Sequence, residues 1–207
     1  MNFDPVARSY RWLERLAFGG ALQRCRVALI EHMRNASNVL ILGEGDGRFL
    51  QEFLRVNTGA KITVVDSSKE MIRLAGERTG PVDRVEFVHA DIRDVELPDE
   101  AYDLIVTNFF LDCFDQRGVE DVVEAVSKKL AISGYWLWSD FAIPESGFGR
   151  LPARCVIGLL YWFFRRTTKL EASELVDPGP VFLNHRFEVV GERRLRGDLL
   201  KSVLWRK

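Results

Sequence analysis

Three alternating glycines with acids between them are the first residues in the chain that could do chemistry. Gly43, Gly45 and Gly47 permit backbone angles that other residues avoid, and they let a ligand lie against the main chain. Glu44 and Asp46 fill the positions between them. The loop follows a short apolar run, and open α/β sheets bind cofactors where a strand ends in this way. The pattern therefore predicts a cofactor site at this turn.

A third acid and the charge of the loop narrow the choice of cofactor. Asp66 ends the next strand pattern, where its carboxylate can accept hydrogen bonds from two ribose hydroxyls. A dinucleotide would bring its pyrophosphate beside Glu44 and Asp46, and like charges repel. Arg48 also stands where the nicotinamide fingerprint needs its last glycine. S-adenosylmethionine carries two cationic groups and no phosphate, so the acidic loop favours it.

The segments around the loop alternate between strand and helix patterns. Short apolar runs predict strands, and apolar residues at helical spacing predict helices. The expected strands are residues 39–42, 61–66, 85–89, 102–107, 135–141, 187–194 and 199–205. The expected helices are residues 4–33 with a break near 19–20, 48–56, 67–77 capped by Ser67 or Ser68, 119–130 and 154–166.

This alternation predicts the fold class. Strands and helices in turn imply a parallel sheet covered on both faces. Residues 196–198 join the last two strands as a hairpin, so the final strand must run antiparallel. We therefore expect an α/β protein, a Rossmann-like three-layer sandwich around a mostly parallel seven-stranded sheet with an antiparallel last strand.

Composition excludes several classes of protein. The formal net charge is −1, so no basic excess indicates nucleic acid as a partner. The three cysteines are widely spaced without a Cys/His cluster, and neither disulfides nor a metal site is predicted. The N-terminus lacks a secretory pattern, and no apolar run reaches bilayer length. We expect a cytoplasmic protein, and the oligomeric state stays open.

Residues 39–49 resemble the first motif of the class I S-adenosylmethionine-dependent methyltransferases, of the small-molecule type. Residues 64–71 resemble the ribose-binding strand end of that family, 88–92 its adenine-binding motif and 102–110 its fourth strand. The resemblance covers about residues 37–141 and implies one domain, 1–207, in three parts. These are an N-terminal helical lid (1–36), a cofactor-binding core (37–141), and an acceptor-side helix with the terminal strand pair (142–207).

The resemblance also implies roles for single residues. Asp66 would hold the ribose, Asp91 the adenine amino group with Ile92 against the ring, and Asn108 and Phe109 the methionine part. The implied cofactor-binding residues are Tyr10, Gly43, Glu44, Gly45, Asp46, Gly47, Asp66, Ser67, Met71, Asp91, Ile92, Asn108 and Phe109. Tyr10 either closes over the cofactor as part of the lid or anchors its helix on the sheet.

One position departs from the family pattern. The family usually has an acid two residues before the first motif glycine, and this chain has Ile41. The hypothesis is that Glu44 or Asp46 has taken over the cofactor's ammonium group.

Methyl transfer from a sulfonium is an in-line displacement, for which alignment and exclusion of water supply much of the rate. A general base is needed only if the acceptor must lose a proton. The candidates are Asp112, Tyr10 and His185, with Asp115 and Asp140 also near the expected acceptor side. Each of the three acids among them has a plain structural alternative: Asp112 and Asp115 could be helix caps, and Asp140 could be a solvated loop acid.

The apolar segment 155–164 bears on the acceptor. It is a core helix, the wall of a hydrophobic acceptor pocket, or, less favoured, a contact with a membrane surface. We expect methyl transfer to a small, aromatic or apolar molecule, with S-adenosylhomocysteine as the product. The alternative from another class is a non-catalytic methyltransferase-like binding module. A nicotinamide oxidoreductase and a nucleic-acid methyltransferase are both disfavoured by the motifs.

Overall fold

A seven-stranded sheet lies at the centre of the computed structural model, which describes residues 19–144, 157–158, 172 and 174–207. The strands are β1 (Asn38–Leu42), β2 (Lys61–Asp66), β3 (Val85–His89), β4 (Tyr102–Asn108), β5 (Leu130–Phe141), β6 (Glu188–Leu195) and β7 (Leu200–Arg206). Their order is β3-β2-β1-β4-β5-β7-β6. Within this sheet β7 runs antiparallel to both of its neighbours, and the other pairings are parallel. The predicted fold class is confirmed.

Short helices connect the described strands. They are α1 (Ala21–Arg26), α2 (Arg48–Val56), α3 (Lys69–Thr79), α4 (Gln116–Ser127) and α5 (Gly179–Asn184), with 3₁₀ turns at Ile30–Met33 and Leu111–Cys113. None of the described helices has the length and apolar character needed to cross a bilayer.

Two predicted helices have different bounds in the structure, and the choice left open between two capping residues is decided. Helix α4 begins earlier than expected because the Asp115 carboxylate accepts from the Gly118 amide at 2.8 Å, and it ends before Leu130, which pairs with Tyr102 in the sheet. The described end of the expected helix 4–33 divides into α1 and a 3₁₀ turn. Helix α3 is capped by Ser68, whose hydroxyl accepts from Met71 N at 3.2 Å, so the Ser67 alternative is excluded.

Both faces of the sheet are buried, which explains the continuous apolar runs in its strands. Because successive side chains point to opposite faces, Leu40 and Leu42 pack on the side of α4 and α5. Val39 and Ile41 pack on the side of α2. The result is three layers, with the carboxyl ends of β1, β2, β4 and β5 meeting at one edge. That edge carries the glycine loop.

Four aromatic rings attach α5 to the far half of the sheet. The Phe182 ring meets Trp136 edge-on at 4.9 Å and stacks on Trp205 at 4.9 Å between centroids. Phe187 meets Trp136 and Phe182 edge-on. Since Phe182 is fully buried, this cluster fixes the antiparallel β7 and the strand beside it onto the parallel part.

We expect Phe182→Ala to lower the free energy of unfolding by about 3–5 kcal/mol, because it removes a buried ring and leaves a cavity. Urea denaturation followed by circular dichroism measures the change. The neighbouring Leu183, 60% exposed, supplies the control: Leu183→Ala should stay within about 0.5 kcal/mol of the parent. Equal losses for the two variants would contradict the packing described.

Candidate functional site

The glycine loop between β1 and α2 has a left-handed backbone at each glycine. The φ angles of Gly43, Gly45 and Gly47 are +64°, +70° and +83°. A Cβ on Gly43 would lie 2.4 Å from the Phe110 ring, and one on Gly47 would lie 2.7 Å from Ala75 Cα, so these two glycines allow close packing. A Cβ on Gly45 would meet no atom of the described residues within 4 Å. The space beside Gly45 is therefore where a ligand can approach the main chain.

Asp66 is held in place beside that space. Its Oδ2 accepts from the Gly45 amide at 3.2 Å, and its Oδ1 accepts from the Ser68 amide at 2.9 Å. The carboxylate thus connects the loop after β1 to the start of α3, and a carboxylate is the kind of group that can accept from a ligand hydroxyl. Next to it, the Ser67 carbonyl lies 3.2 Å from His89 Nε2, which gives that histidine a structural contact. Met71 is buried under the same turn.

The two acids inside the loop have different surroundings. Asp46 Oδ2 accepts from Arg48 Nε at 3.2 Å and from Arg78 Nη2 at 3.0 Å. Arg78 also donates to the Asp46 carbonyl at 2.6 Å. Asp46 therefore belongs to an ion-pair network that fastens the loop to α3. The structure gives no support to Asp46 as the site for an ammonium group.

Glu44 is buried, with 9% of its surface exposed. Its Oε1 accepts from the Leu50 amide in the first turn of α2 at 2.9 Å. Its Oε2 is buried and has no hydrogen-bond partner in the described part of the chain. Burial raises the pKa of Glu44 to about 8, and the Leu50 amide and the charge of Arg26 act against that rise. The carboxyl group is therefore largely protonated at pH 7 in this state.

The carboxyl end of β4 lies beside the loop. Both polar atoms of the Asn108 side chain are buried and lack a partner among the described residues. Phe109 has a φ of +53°, its amide donates to the Ser139 carbonyl at 2.7 Å, and its ring meets Phe141 edge-on. The Arg26 guanidinium lies 5.0 Å from the centre of the Phe109 ring. Sequence analysis missed Arg26, because a basic residue in a helix gives no local sign that it packs at a strand end.

The residues expected around the adenine lie after β3. Asp91 is paired with Arg93, whose Nε donates to Oδ1 at 2.9 Å and whose Nη2 donates to Oδ2 at 2.7 Å. This pairing lowers the pKa of Asp91. An adenine amino group at Asp91 would share the carboxylate with Arg93. Ile92 is partly buried against the core on the α4 side.

Two carboxyl groups meet where β4 and β5 end. Asp140 Oδ2 accepts from the Asp112 amide at 3.1 Å and from Trp138 Nε1 at 3.3 Å, and its Oδ1 accepts from the Phe141 amide at 2.8 Å. Asp140 is only 1% exposed, so its description as a solvated loop acid was wrong. Burial raises the pKa of Asp112 to about 6 and raises that of Asp140 as well, with the Asp112 charge adding to the second rise. Such a pair can accept a proton near neutral pH.

The other candidates for catalysis fall elsewhere. His185 follows α5 and precedes β6, whose first residue, Glu188, pairs with the end of antiparallel β7. That position is the amino edge of the sheet, opposite the glycine loop, so placing His185 on the acceptor side was wrong. Asp115 caps α4. Tyr10 and almost all of the apolar segment 155–164 lie outside the described residues.

A parallel sheet with a glycine loop after β1 and a fixed carboxylate after β2 defines a nucleoside-binding α/β domain. The family model for a methyltransferase domain matches residues 39–134, which include both features. This match agrees with the resemblance to the class I S-adenosylmethionine-dependent methyltransferases that the motifs indicated.

Several known methyltransferases are similar to this chain in sequence or in structure. The demethylmenaquinone methyltransferase of Clavibacter sepedonicus is 30% identical over 122 residues, which are 59% of this chain and 46% of that protein. The chain therefore spans less than half of this relative. Among solved structures, the Burkholderia thailandensis 1,6-didemethyltoxoflavin-N1-methyltransferase, with S-adenosylhomocysteine bound, is 20% identical with a TM-score of 0.67, covering 96% of this chain and 84% of that one. Human N-acetylserotonin methyltransferase in complex with SAM is 17% identical with a TM-score of 0.69, covering 95% and 55%.

Glu44 should make stability depend on pH. Its pKa is about 8 in the folded chain against an ordinary value of 4.5, so between these values the folded state holds a proton that the unfolded state has lost. The free energy of unfolding should therefore fall as pH rises through this range, by on the order of 1.4 kcal/mol per unit of pKa difference. Glu44→Gln should flatten that dependence, which urea denaturation at pH values from about 5 to 8 measures.

The matched control is Glu86→Gln at an exposed position of β3. It should keep the parent's dependence of the free energy of unfolding on pH. The buried Asp112 and Asp140 also contribute to that dependence, in the same direction as Glu44. A slope that is the same in all three proteins would show that the Glu44 carboxyl is not protonated by burial.

Proposed function

We propose that this chain transfers the methyl group of S-adenosylmethionine to a small molecule and releases S-adenosylhomocysteine. The observation that carries the proposal is the space beside Gly45, where a Cβ would meet nothing, next to an Asp66 carboxylate fixed by the Gly45 amide. A nucleoside can lie against the main chain there with its ribose hydroxyls on Asp66.

Different residues of the site would bind the ribose, the adenine and the methionine portion of the cofactor. Asp66 would hold the ribose, and Asp91 with Ile92 would meet the adenine. Asn108 and Phe109 would lie along the methionine portion, where the unpartnered Asn108 amide offers both a donor and an acceptor. When bound, the cofactor supplies an activated methyl group on its sulfonium. The protein then has to align the acceptor and keep water away.

The acceptor is proposed to be aromatic or otherwise apolar. Phe109 and Phe141 form one aromatic pair at the carboxyl edge, and Phe110 and Phe114 form another, with centroids 5.2 Å apart in each. Such rings favour flat, apolar ligands. The names of two similar methyltransferases, which act on demethylmenaquinone and 1,6-didemethyltoxoflavin, agree with this character. An N-terminal lid in residues 1–36 and an acceptor-side helix, which with the terminal strand pair makes up residues 142–207, complete the proposal.

Asp112 and Asp140 are proposed to take up a proton where the acceptor must lose one. Asp140 is fixed by three hydrogen-bond donors, and Asp112 accepts from the Cys113 thiol at 3.6 Å. The negative charge of either group disfavours ionisation of the other. One proton therefore tends to stay on the pair, and the ionised member acts as the base.

A non-catalytic binding module is the second candidate. Ile41 replaces the acid that the family usually has, and the Asp91 carboxylate is already paired with Arg93. A module of this kind would bind the cofactor without turnover. A product assay separates the two candidates, because only the enzyme yields a methylated acceptor.

The binding step of the proposal is tested by calorimetry with S-adenosylhomocysteine. Asp66→Asn should weaken binding at least about tenfold, because the amide places a donor where the ribose hydroxyls and the Gly45 amide need acceptors. The matched control is Asp121→Asn on the exposed side of α4, which should bind as the parent does. Absence of binding to the folded parent protein would refute the proposed function.

The chemical step is tested with radiolabelled S-adenosylmethionine and a panel of phenols, quinols and heteroaromatic amines. With an acceptor that must be deprotonated, the rate constant kcat should rise with pH through an apparent pKa near 6, the value for Asp112. Asp112→Asn should lower kcat by about 10²-fold or more and remove that rise. Asp115→Ser, which keeps a helix cap, should retain the profile. An unchanged profile in Asp112→Asn would exclude this residue as the base.

A further inference from the structure

A carboxyl oxygen at the base of the glycine loop is left without a partner. Glu44 Oε1 is used by the Leu50 amide, while Oε2 is buried and unpartnered within the described residues. The whole side chain is nine-tenths buried. Buried polar atoms in native proteins almost always have a partner, and an exception calls for an explanation such as an absent ligand. The role of Glu44 as a cap for α2 accounts for only one of its two oxygens.

A second unpartnered group lies at the end of the adjacent strand. Leu42 pairs with Thr107, so Asn108 ends β4 beside the position where the loop leaves β1. Strand alternation places Asn108 on the same side of β4 as Leu104 and Val106, which pack on the face covered by α2. The Glu44 side chain is also directed to α2, where it accepts from the Leu50 amide. Both unpartnered groups therefore lie at one edge of the sheet and on one of its faces.

The charges around this place select the kind of ligand. Ile41 is buried among apolar residues, and Asp46 is held by Arg48 and Arg78, so Glu44 is the acid of the loop that has an oxygen to offer. An unpartnered carboxyl oxygen and an unpartnered amide oxygen at the same edge and face of the sheet suit a donor with several N–H groups and a positive charge. A primary ammonium group has both properties.

We propose that Glu44, with Asn108 beside it, binds the ammonium group of the cofactor's methionine portion. This inference rests on the proposed function, since the ligand is the cofactor of that reaction. Glu44 thereby acts where the acid expected at position 41 is missing. It is a binding residue, and the Leu50 amide that holds Oε1 orients it.

The proposal implies that cofactor binding releases a proton. Burial raises the pKa of Glu44 to about 8, with Asp46 adding to the rise and the Arg26 guanidinium on α1 acting against it. The carboxyl group therefore holds a proton before the ligand arrives. An ammonium group beside it favours the carboxylate, so the proton leaves Glu44 for the solvent while the ammonium keeps its own protons.

Titration calorimetry near pH 7 in two buffers of different ionisation enthalpy measures this proton. S-adenosylhomocysteine should release close to one proton per site, and 5′-methylthioadenosine, which lacks the amino-acid part, should release none. Glu44→Gln keeps an acceptor for the Leu50 amide. It should abolish the release and weaken S-adenosylhomocysteine about tenfold, with 5′-methylthioadenosine changed less than about twofold. Glu52→Gln, on the same helix and exposed, should behave as the parent.

The outcomes separate this inference from the proposed function. If both ligands bind the parent but release the same number of protons, or if Glu44→Gln keeps the parent's ratio of affinities, Glu44 is a helix cap and the inference is overturned. If neither ligand binds the folded parent, the proposed function fails together with it. The comparison of the two ligands on the parent needs no variant, so poor folding of Glu44→Gln would not prevent the test.

Discussion

The hydrogen bond from the Gly45 amide to the Asp66 carboxylate joins the two strand ends on which the rest of the site depends. It requires β1 and β2 to lie side by side in parallel, so that both end at the same edge. It also requires the left-handed backbone of the loop, because only that conformation turns the Gly45 amide toward Asp66 and leaves open space beside the glycine. The carboxylate is thereby fixed before any ligand arrives, and less ordering is needed on binding.

Burial is what gives the acids of this edge their different properties. Asp46 and Asp91 are paired with arginines in the loops. Glu44, Asp112 and Asp140 are taken out of water, and burial raises the pKa of each. One sheet edge thus holds carboxylates that are paired with arginines and carboxyl groups whose pKa is raised by burial.

The opposite end of the sheet serves stability. Trp136, Phe182, Phe187 and Trp205 form one aromatic cluster that holds α5 and the antiparallel β7 against the parallel strands. Because the cluster lies away from the glycine loop, substitutions there act on the free energy of unfolding and leave the chemistry of the loop intact. This separation of a stabilising core cluster from the loop-bearing edge is typical of open α/β sheets, in which the carboxyl edge carries the ligand site.

The sequence by itself determined the sheet, the glycine loop and the acid that ends β2. Apolar runs that end in Gly43 or Asp66 depend on local chain properties, namely side-chain burial on both faces and backbone angles open to glycine. Tertiary structure alone decided what each acid does. Whether Glu44 is buried, Asp46 paired or Asp140 desolvated depends on residues distant in the chain, such as Arg26, Arg78 and Asp112, which packing brings together. His185 was misplaced for the same reason, because the edge at which a residue lies follows from the direction of the strand after it.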